Sequence, residues 1–150
     1  MPLTLITVGK MKPGPWRELT QEYTKRLSGP LTIHEVEIRQ KLPPALRKQQ
    51  EGALIQQKIP PESMLIALDE NGDSYTSKQF ADKFVESLQT SSLCIVIGGA
   101  YGLSDEILNK ARYKIAFGCM TWPHLMVRVM LLEQLYRAQQ ILHGHPYHKE

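Results

Sequence analysis

Cysteine is scarce in this chain of 150 residues: only Cys94 and Cys119 occur, and they do not form a CxxC pair. Two cysteines so far apart argue against a disulfide framework and a zinc ribbon, and they fit a reducing compartment. We expect each of them to be a small buried apolar residue rather than a nucleophile.

Long apolar runs and a leader segment are also missing. No stretch reaches the length of a membrane span, and the first residues, MPLTLI, lack the basic segment and the cleavage site of a secretory signal. The sequence therefore predicts a cytoplasmic protein without a membrane partner. An apolar fraction of 42% and a charged fraction of 22% are ordinary for a globular protein of this length.

The net charge is only +3, but it is unevenly distributed along the chain. Residues 1–60 carry a net charge of +5 and residues 61–150 a net charge of −2. A basic half is what binding to a phosphate backbone requires, although a solvated surface has the same composition. The basic residues in question are Lys10, Lys12, Arg17, Lys25, Arg26, Arg39, Lys41, Arg47 and Lys48.

Strand-like and helix-like segments alternate along the whole chain. Strands are predicted at 3–8, 31–38, 64–68, 93–97 and 113–117, and helices after Pro15, at 44–58, from Ser77, after Ser104, and from Pro123 to about His143. Alternation of this kind predicts an α/β fold with a mostly parallel sheet flanked by helices. No repeat or linker interrupts it, so we expect residues 1–150 to form a single domain.

Three loops follow predicted strands: 68–72, where Asp69-Glu70-Asn71-Gly72 predicts a turn, then 98–102 and 118–123. Ligands bind at the carboxyl ends of strands in open parallel sheets, and the Gly98-Gly99 pair would let a backbone approach a ligand closely. A tight strand-to-helix turn would explain the same glycines. The dinucleotide fingerprint fails because Ile97 occupies the position of its first glycine, and no P-loop is present.

The last third of the chain is the richest in unusual features. The predicted final helix is apolar on more than one face, which is typical of a central core helix or of a helix shared with a second subunit, and in a small chain it favours a homodimer. His143, His145 and His148 could suggest a metal site, but no acidic or cysteine ligand accompanies them. A tail that closes over a polar substrate fits this composition better, and no metal is predicted.

Several segments resemble the RlmH (YbeA-type) family of SPOUT methyltransferases, which methylate N3 of a pseudouridine in 23S ribosomal RNA. The resemblance covers the full length and is most specific over 97–150. The segments that carry it are Ile97-Gly98-Gly99-Ala100-Tyr101-Gly102-Leu103, Met120-Thr121-Trp122-Pro123-His124, Arg128-Val129, Glu133-Gln134-Leu135-Tyr136-Arg137-Ala138 and His145-Pro146-Tyr147-His148-Lys149. Two departures are visible, since Ala100-Tyr101 replaces the Pro-Glu of some relatives and Lys149 replaces an arginine.

This resemblance implies a deep trefoil knot in the C-terminal half, a homodimer, and S-adenosylmethionine as the cofactor. The positions implied to bind the cofactor are Leu68, Gly98, Gly99, Gly118, Cys119, Met120, Thr121, Trp122 and Pro123. The positions implied to bind the substrate or to act in catalysis are His124, Arg128, Arg137, Tyr147 and His148. The implied partner is 23S rRNA within the large subunit or the whole ribosome.

The chemistry of methylating a uracil-type N3 needs a base that removes its proton and a cation that stabilises the resulting anion. His148 or His124 is a candidate for the base, Arg128 or Arg137 for the cation, and Tyr147 for positioning. Glu133 lies four residues before Arg137, so a structural ion pair on one helix is an alternative for Arg137. The tail is too far from the start of its own helix to reach it easily, so it is expected to act on a partner subunit.

Other functions remain open at this stage. The alternatives are a SPOUT-type methyltransferase of another rRNA base or of tRNA, a non-catalytic RNA-binding assembly factor with a vestigial cofactor pocket, and a metal-dependent hydrolase.

Overall fold

The computed structural model describes residues 2–149 and contains five strands and five helices in alternation. The strands are β1 (Leu3–Val8), β2 (Leu31–Val36), β3 (Ser63–Ser74), β4 (Ser92–Ile97) and β5 (Tyr113–Ala116). The helices are α1 (Pro15–Arg26), α2 (Pro44–Lys58), α3 (Ser77–Ser87), α4 (Asp105–Lys110) and α5 (His124–Leu142). The predicted order of elements is confirmed, and most boundaries agree within two residues.

The five strands form one sheet in the order β2-β1-β4-β3-β5, and every neighbouring pair is parallel. Leu3 of β1 pairs with Leu31 of β2 on one side and with Leu93 of β4 on the other. The predicted α/β class is therefore confirmed, and the sheet is parallel throughout. Because all five strands point the same way, the loops that follow them share one edge of the sheet, which is the ligand-binding edge in such folds.

Helices cover both faces of the sheet, which explains why β1 and β4 are buried along their full length. On one face α5 packs between α1 and α3, with Leu131 and Leu132 fully buried against the sheet. On the other face α2 and α4 pack over residues such as Ile6 and Val96. Much of the apolar character of α5 is therefore explained by its central place in the chain's own core. The predicted homodimer and the predicted knot stay predictions.

The clearest difference from prediction lies in β3, which continues through the expected turn to Ser74. Residues Leu68 and Asp73 both pair with Ile115 of β5, so an irregularity between them absorbs the extra residues. Pairing with β5 therefore overrides the turn preference of Asp69-Glu70-Asn71-Gly72. A side chain at Gly72 would meet the backbone of Lys114 at 2.7 Å, so the glycine there permits a close strand contact.

The structure refines the start of α3 and corrects the prediction that both cysteines are buried. The helix predicted from Ser77 has its cap one residue earlier, at Thr76: the Thr76 hydroxyl accepts from the amide of Gln79, and the Gln79 side chain accepts from the Thr76 amide. Cys94 is buried as expected, and burial raises the pKa of its thiol to about 12, whereas Cys119 is exposed. No helix within residues 2–149 has both the length and the apolar character needed to cross a membrane.

Candidate active site

A cavity of about 660 Å³ opens at the carboxyl ends of β3, β4 and β5. It is formed by the three loops predicted to follow strands, together with the first turn of α5. Its walls are residues 68–71, 97–103, 115–118 and 120–124, with Lys48, Asp105, Leu108 and Val127. All the cofactor positions implied by the resemblance therefore line one cavity, except Cys119, which is exposed but does not line it.

Glycines shape the wall formed by the loop after β4. A Cβ atom on Gly98 would lie 2.7 Å from the backbone carbon of Gly102, and one on Gly99 would lie 2.9 Å from a methyl group of Val8. Gly102 and Gly118 have φ angles of 80° and 92°, a region that other residues rarely adopt. Glycine at these positions is thus required by the backbone, and both loops present main-chain atoms to the cavity.

The charged residues of the cavity wall are mostly acidic. Asp69, Glu70 and Asp105 contribute negative charge, and Lys48 contributes a positive one. The floor is apolar, with Leu68 and Ile115 buried at the ends of their strands. A ligand with an apolar or aromatic part and a positively charged part is complementary to such a wall.

His124 is the first residue of α5 and lies at the rim of the cavity. Its Nε2 atom faces the end of β1, where a Cβ atom on Gly9 would lie 3.9 Å away. The residue is exposed at this rim, and partial desolvation of the ring, followed by the charge of Arg128, lowers the pKa of His124 from its usual 6.5. The imidazole is therefore held neutral at physiological pH, which is the form that accepts a proton.

Arg128 lies one turn further along α5 and is buried, with only 2% of its surface exposed. It donates to Glu35 Oε2 at 2.6 Å and to the Gly9 carbonyl at 3.1 Å, and the same Glu35 oxygen accepts from the Met11 amide at 2.8 Å. Arg128 does not line the cofactor cavity. Its two bonds instead tie the loop after β1 and the edge strand β2 to the start of α5.

The remaining three predicted catalytic residues come together at the other end of α5. Arg137 donates to Glu133 at 2.5 Å and contacts His148 Nδ1 at 3.1 Å, and the Tyr147 hydroxyl donates to the same Glu133 oxygen at 3.0 Å. Partial burial and then the hydrogen bond to Glu133 raise the pKa of Tyr147, so its phenol stays protonated. The Glu133–Arg137 ion pair that the spacing allowed is thus present, and the tail folds onto its own helix.

The predicted catalytic residues therefore form two groups within one chain. His124 and Arg137 are 13 residues apart on α5, which corresponds to about 20 Å along the helix axis. The cluster of Arg137, Tyr147 and His148 is consequently distant from the cofactor cavity of the same chain.

Sequence reasoning missed several residues of this edge. Lys48 and Asp105 line the cavity, but no motif identified them because they come from α2 and from the start of α4. Glu35 was also missed, since an isolated glutamate on an edge strand carries no signal of a distant arginine. Within the described residues, no group of three His, Cys, Asp or Glu side chains is placed to hold a metal ion.

Comparison with known proteins identifies the class to which this fold and cavity belong. Residues 1–148 match the family described as "Predicted SPOUT methyltransferase", and the chain belongs to the SPOUT methyltransferase family. Among curated proteins it is similar to "Ribosomal RNA large subunit methyltransferase H" of Rhodospirillum centenum, with 46% identity over 99% of both chains. The protein of the same name from Oleidesulfovibrio alaskensis is 42% identical over 97% of both chains.

Solved structures support the fold at much lower sequence identity. A probable methylase family protein from Haemophilus influenzae Rd KW20 aligns with a TM-score of 0.57 and 14% identity, covering 99% of this chain and 70% of that one. The SpoU methyltransferase AviRb from Streptomyces viridochromogenes aligns with a TM-score of 0.51 and 15% identity, covering 95% of this chain and 61% of that one.

Proposed function

We propose that this protein methylates N3 of a pseudouridine in 23S ribosomal RNA, within the large subunit or the assembled ribosome, with S-adenosylmethionine as methyl donor. The observation that carries the proposal is the cavity at the ends of β3, β4 and β5, which collects eight of the nine predicted cofactor positions. Membership of the SPOUT methyltransferase family and relatives named for large-subunit ribosomal RNA support the reaction class and the substrate class.

The cavity suits S-adenosylmethionine in size and charge. A volume of about 660 Å³ is in the range of cofactor sites. The acidic groups Asp69, Glu70 and Asp105 are complementary to a sulfonium and an ammonium group, and the apolar floor suits an adenine ring. When bound, this cofactor supplies an already electrophilic methyl group, so the protein needs no metal to activate it.

His124 is the general base in this proposal. N3 of a uracil-type ring carries a proton and is a poor nucleophile until that proton leaves. His124 lies at the cavity rim and has a lowered pKa, so it is neutral and able to accept the proton near pH 7. His148 is the alternative base, and it lies with the tail cluster instead.

The positive charge that stabilises the N3 anion comes from an arginine. Both arginines pair with a glutamate, but Arg128 is buried, whereas Arg137, paired with Glu133, is partly exposed beside Tyr147 and His148. Arg137 is therefore the better candidate for direct contact with the substrate, and Tyr147 would position the base through its protonated hydroxyl.

A homodimer would bring the two groups of residues together. Because the tail cluster is about 20 Å along α5 from its own His124, the tail would complete the cavity of the partner subunit. Basic loops after β1 and β2 share the ligand-binding edge of the sheet, and they would contact RNA phosphates. These loops contain Lys10, Lys12, Arg39 and Lys41.

The test is methyl transfer from labelled S-adenosylmethionine to ribosomes and to separated rRNA that lack the modification. Label on N3 of a pseudouridine in 23S RNA is the expected result. Label on another base of rRNA or on tRNA would overturn the substrate assignment. Cofactor binding by calorimetry without any transfer would point to an RNA-binding assembly factor.

A further inference from the structure

A second groove, of about 780 Å³, lies between α1, the edge strand β2 and the start of α5. It contains four cationic side chains, Lys10, Arg17, Lys25 and Arg128, and one carboxylate, Glu35. None of the positions implied to bind the cofactor lines this groove. It is therefore separate from the cofactor cavity and has the opposite charge.

The cations on its walls are free to bind an external anion. In the described part of the chain, Lys10, Arg17 and Lys25 form no ion pair, and all three are exposed. The one carboxylate is already bound to Arg128 at 2.6 Å. The surplus of positive charge in the groove is thus not neutralised by the protein itself.

Two buried polar atoms of the lining residues also lack a protein partner. Among residues 2–149, Arg128 Nε and Thr24 Oγ1 are buried without a hydrogen bond. Arg128 is a buried side chain of which the guanidinium is only partly satisfied by Glu35 and Gly9. A hydroxyl and an arginine N–H are donors that phosphate oxygens accept well.

The α1 helix presents a polar stripe to this groove. Arg17, Gln21 and Lys25 are spaced by four residues and so lie on one face of the helix. Thr20 is the only buried residue of α1, so the face that carries Arg17, Gln21 and Lys25 does not pack into the core.

The groove adjoins the rim of the cofactor cavity. His124 and Arg128 are one helical turn, about 6 Å, apart on α5. The Gly9 carbonyl accepts from Arg128, and a Cβ atom on Gly9 would lie 3.9 Å from His124 Nε2. An RNA strand with its target base beside His124 would place its neighbouring phosphates at this groove.

We propose that this groove binds the RNA backbone next to the methylated nucleotide, with Arg17 and Lys25 contacting phosphates and Arg128 supporting its floor. This inference rests on the proposed function. It assigns to the RNA a site that is distinct from the cavity of the cofactor.

The test compares Arg17→Gln and Lys25→Gln with wild type in methyl transfer to unmodified ribosomes, as a function of salt between about 50 and 200 mM. Each variant is expected to raise KM about three- to tenfold, as loss of one hydrogen bond does. Each is also expected to make the slope of log kcat/KM against log salt shallower by about 0.7–0.9. Cofactor affinity by calorimetry should not change, and Lys25→Arg should restore KM.

Lys58→Gln is the matched control, because Lys58 is an exposed lysine at the far end of α2, on the opposite edge of the sheet. If the wild-type enzyme methylates ribosomes and both variants have wild-type KM and salt slope, the groove does not bind the RNA backbone, and the proposed function is unaffected. A smaller species in sedimentation with an unchanged salt slope would identify the groove as a subunit contact and also overturn it. If the wild-type protein methylates no RNA, the proposed function is wrong. The salt dependence of binding to 23S transcript, compared between wild type and the two variants, then tests whether the groove binds RNA.

Discussion

The ion pair between Arg128 and Glu35 joins α5 to β2 and to the loop after β1. Arg128 is buried on α5, Glu35 is partly exposed on the edge strand, and their atoms are 2.6 Å apart. Removal of one partner leaves a buried charge without compensation, which costs far more than the pair itself contributes. Glu35 also accepts from the Met11 amide, so it orders the loop after β1.

We therefore predict that Glu35→Gln lowers the free energy of unfolding by about 1–3 kcal/mol, because a buried charge loses its counter-ion while one acceptor remains. Denaturant titration measures this change. Glu37→Gln is the control: within residues 2–149 its only ion pair is with Arg39, the side chain of which is 80% exposed, so a change within about 0.5 kcal/mol is expected. Equal effects of the two substitutions would refute the special role of Glu35.

The lowered pKa of His124 predicts the pH dependence of the reaction. A base of pKa below 6.5 remains neutral as the pH falls to that value, so the acid limb of kcat/KM should have its midpoint below 6.5. His124→Asn should remove this limb and most of the rate. The control is His34→Asn, at a histidine on β2 that does not line the cavity, and it should leave the profile unchanged.

The same shift has a consequence for stability. The unfolded chain binds a proton at His124 near pH 6.5, whereas the folded protein binds it only at a lower pH. The free energy of unfolding is therefore unaffected by His124 above about pH 6.5. It decreases as the pH falls from 6.5 toward the lower pKa of the folded protein, because protonation favours the unfolded chain. Unfolding titrations of His124→Asn should show a weaker loss in this window than those of the wild type.

At the scale of elements, one side chain joins α5 to the connection between α1 and β2. Gln139 is buried, and its amide group accepts from the Ser28 amide and donates to the Ser28 carbonyl, both at 2.9 Å. These two bonds satisfy the backbone N–H and C=O groups of Ser28, just after the end of α1, with a side chain in place of a backbone partner.

Gln139→Leu is expected to lower the free energy of unfolding by about 1–3 kcal/mol, because two backbone groups of Ser28 lose their partners. Thermal or denaturant unfolding measures it. Gln140→Leu changes the adjacent residue, the side chain of which forms no hydrogen bond within residues 2–149, and should shift stability by at most about 0.5 kcal/mol. A larger effect at Gln140 than at Gln139 would contradict this account of the helix contact.

Local pattern was enough to predict the elements but not the contacts between distant ones. The loops after β3, β4 and β5 could be predicted to meet, because loops that follow parallel strands share an edge. The end of β3 could not be predicted, because its pairing with β5 involves residues more than 40 positions away and overrides a local turn preference. Glu35, the partner of Arg128, lies 93 residues away in the sequence, and the residues around either one do not indicate the ion pair.

At the scale of the whole molecule, the two groups of predicted catalytic residues lie about 20 Å apart along α5, and in the proposed homodimer activity would depend on two subunits. We predict that His124→Ala and Tyr147→Phe are each inactive alone and that mixed dimers recover activity, because each mixed dimer has one site with both residues intact. Random mixing should give about a quarter of the wild-type rate, since half of the dimers are mixed and each has one working site.

The measurement is methyl transfer after the two variants are unfolded together and refolded. The control is the same mixture combined without refolding, in which subunits do not exchange unless the dimer dissociates readily. No recovery after verified exchange would show that the tail acts on its own subunit, or that it has no part in the reaction.

The position of β1 between β2 and β4 has a consequence for how the chain is made. One side of β1 can pair as soon as residue 36 is available, but the other waits for β4, which begins at Ser92. All six residues of β1 are buried in the folded protein. Synthesis at about 5–20 residues per second leaves this strand with an open hydrogen-bonding edge for on the order of ten seconds. We therefore expect this strand order to favour chaperone contact during synthesis, and aggregation when translation stalls between β2 and β4.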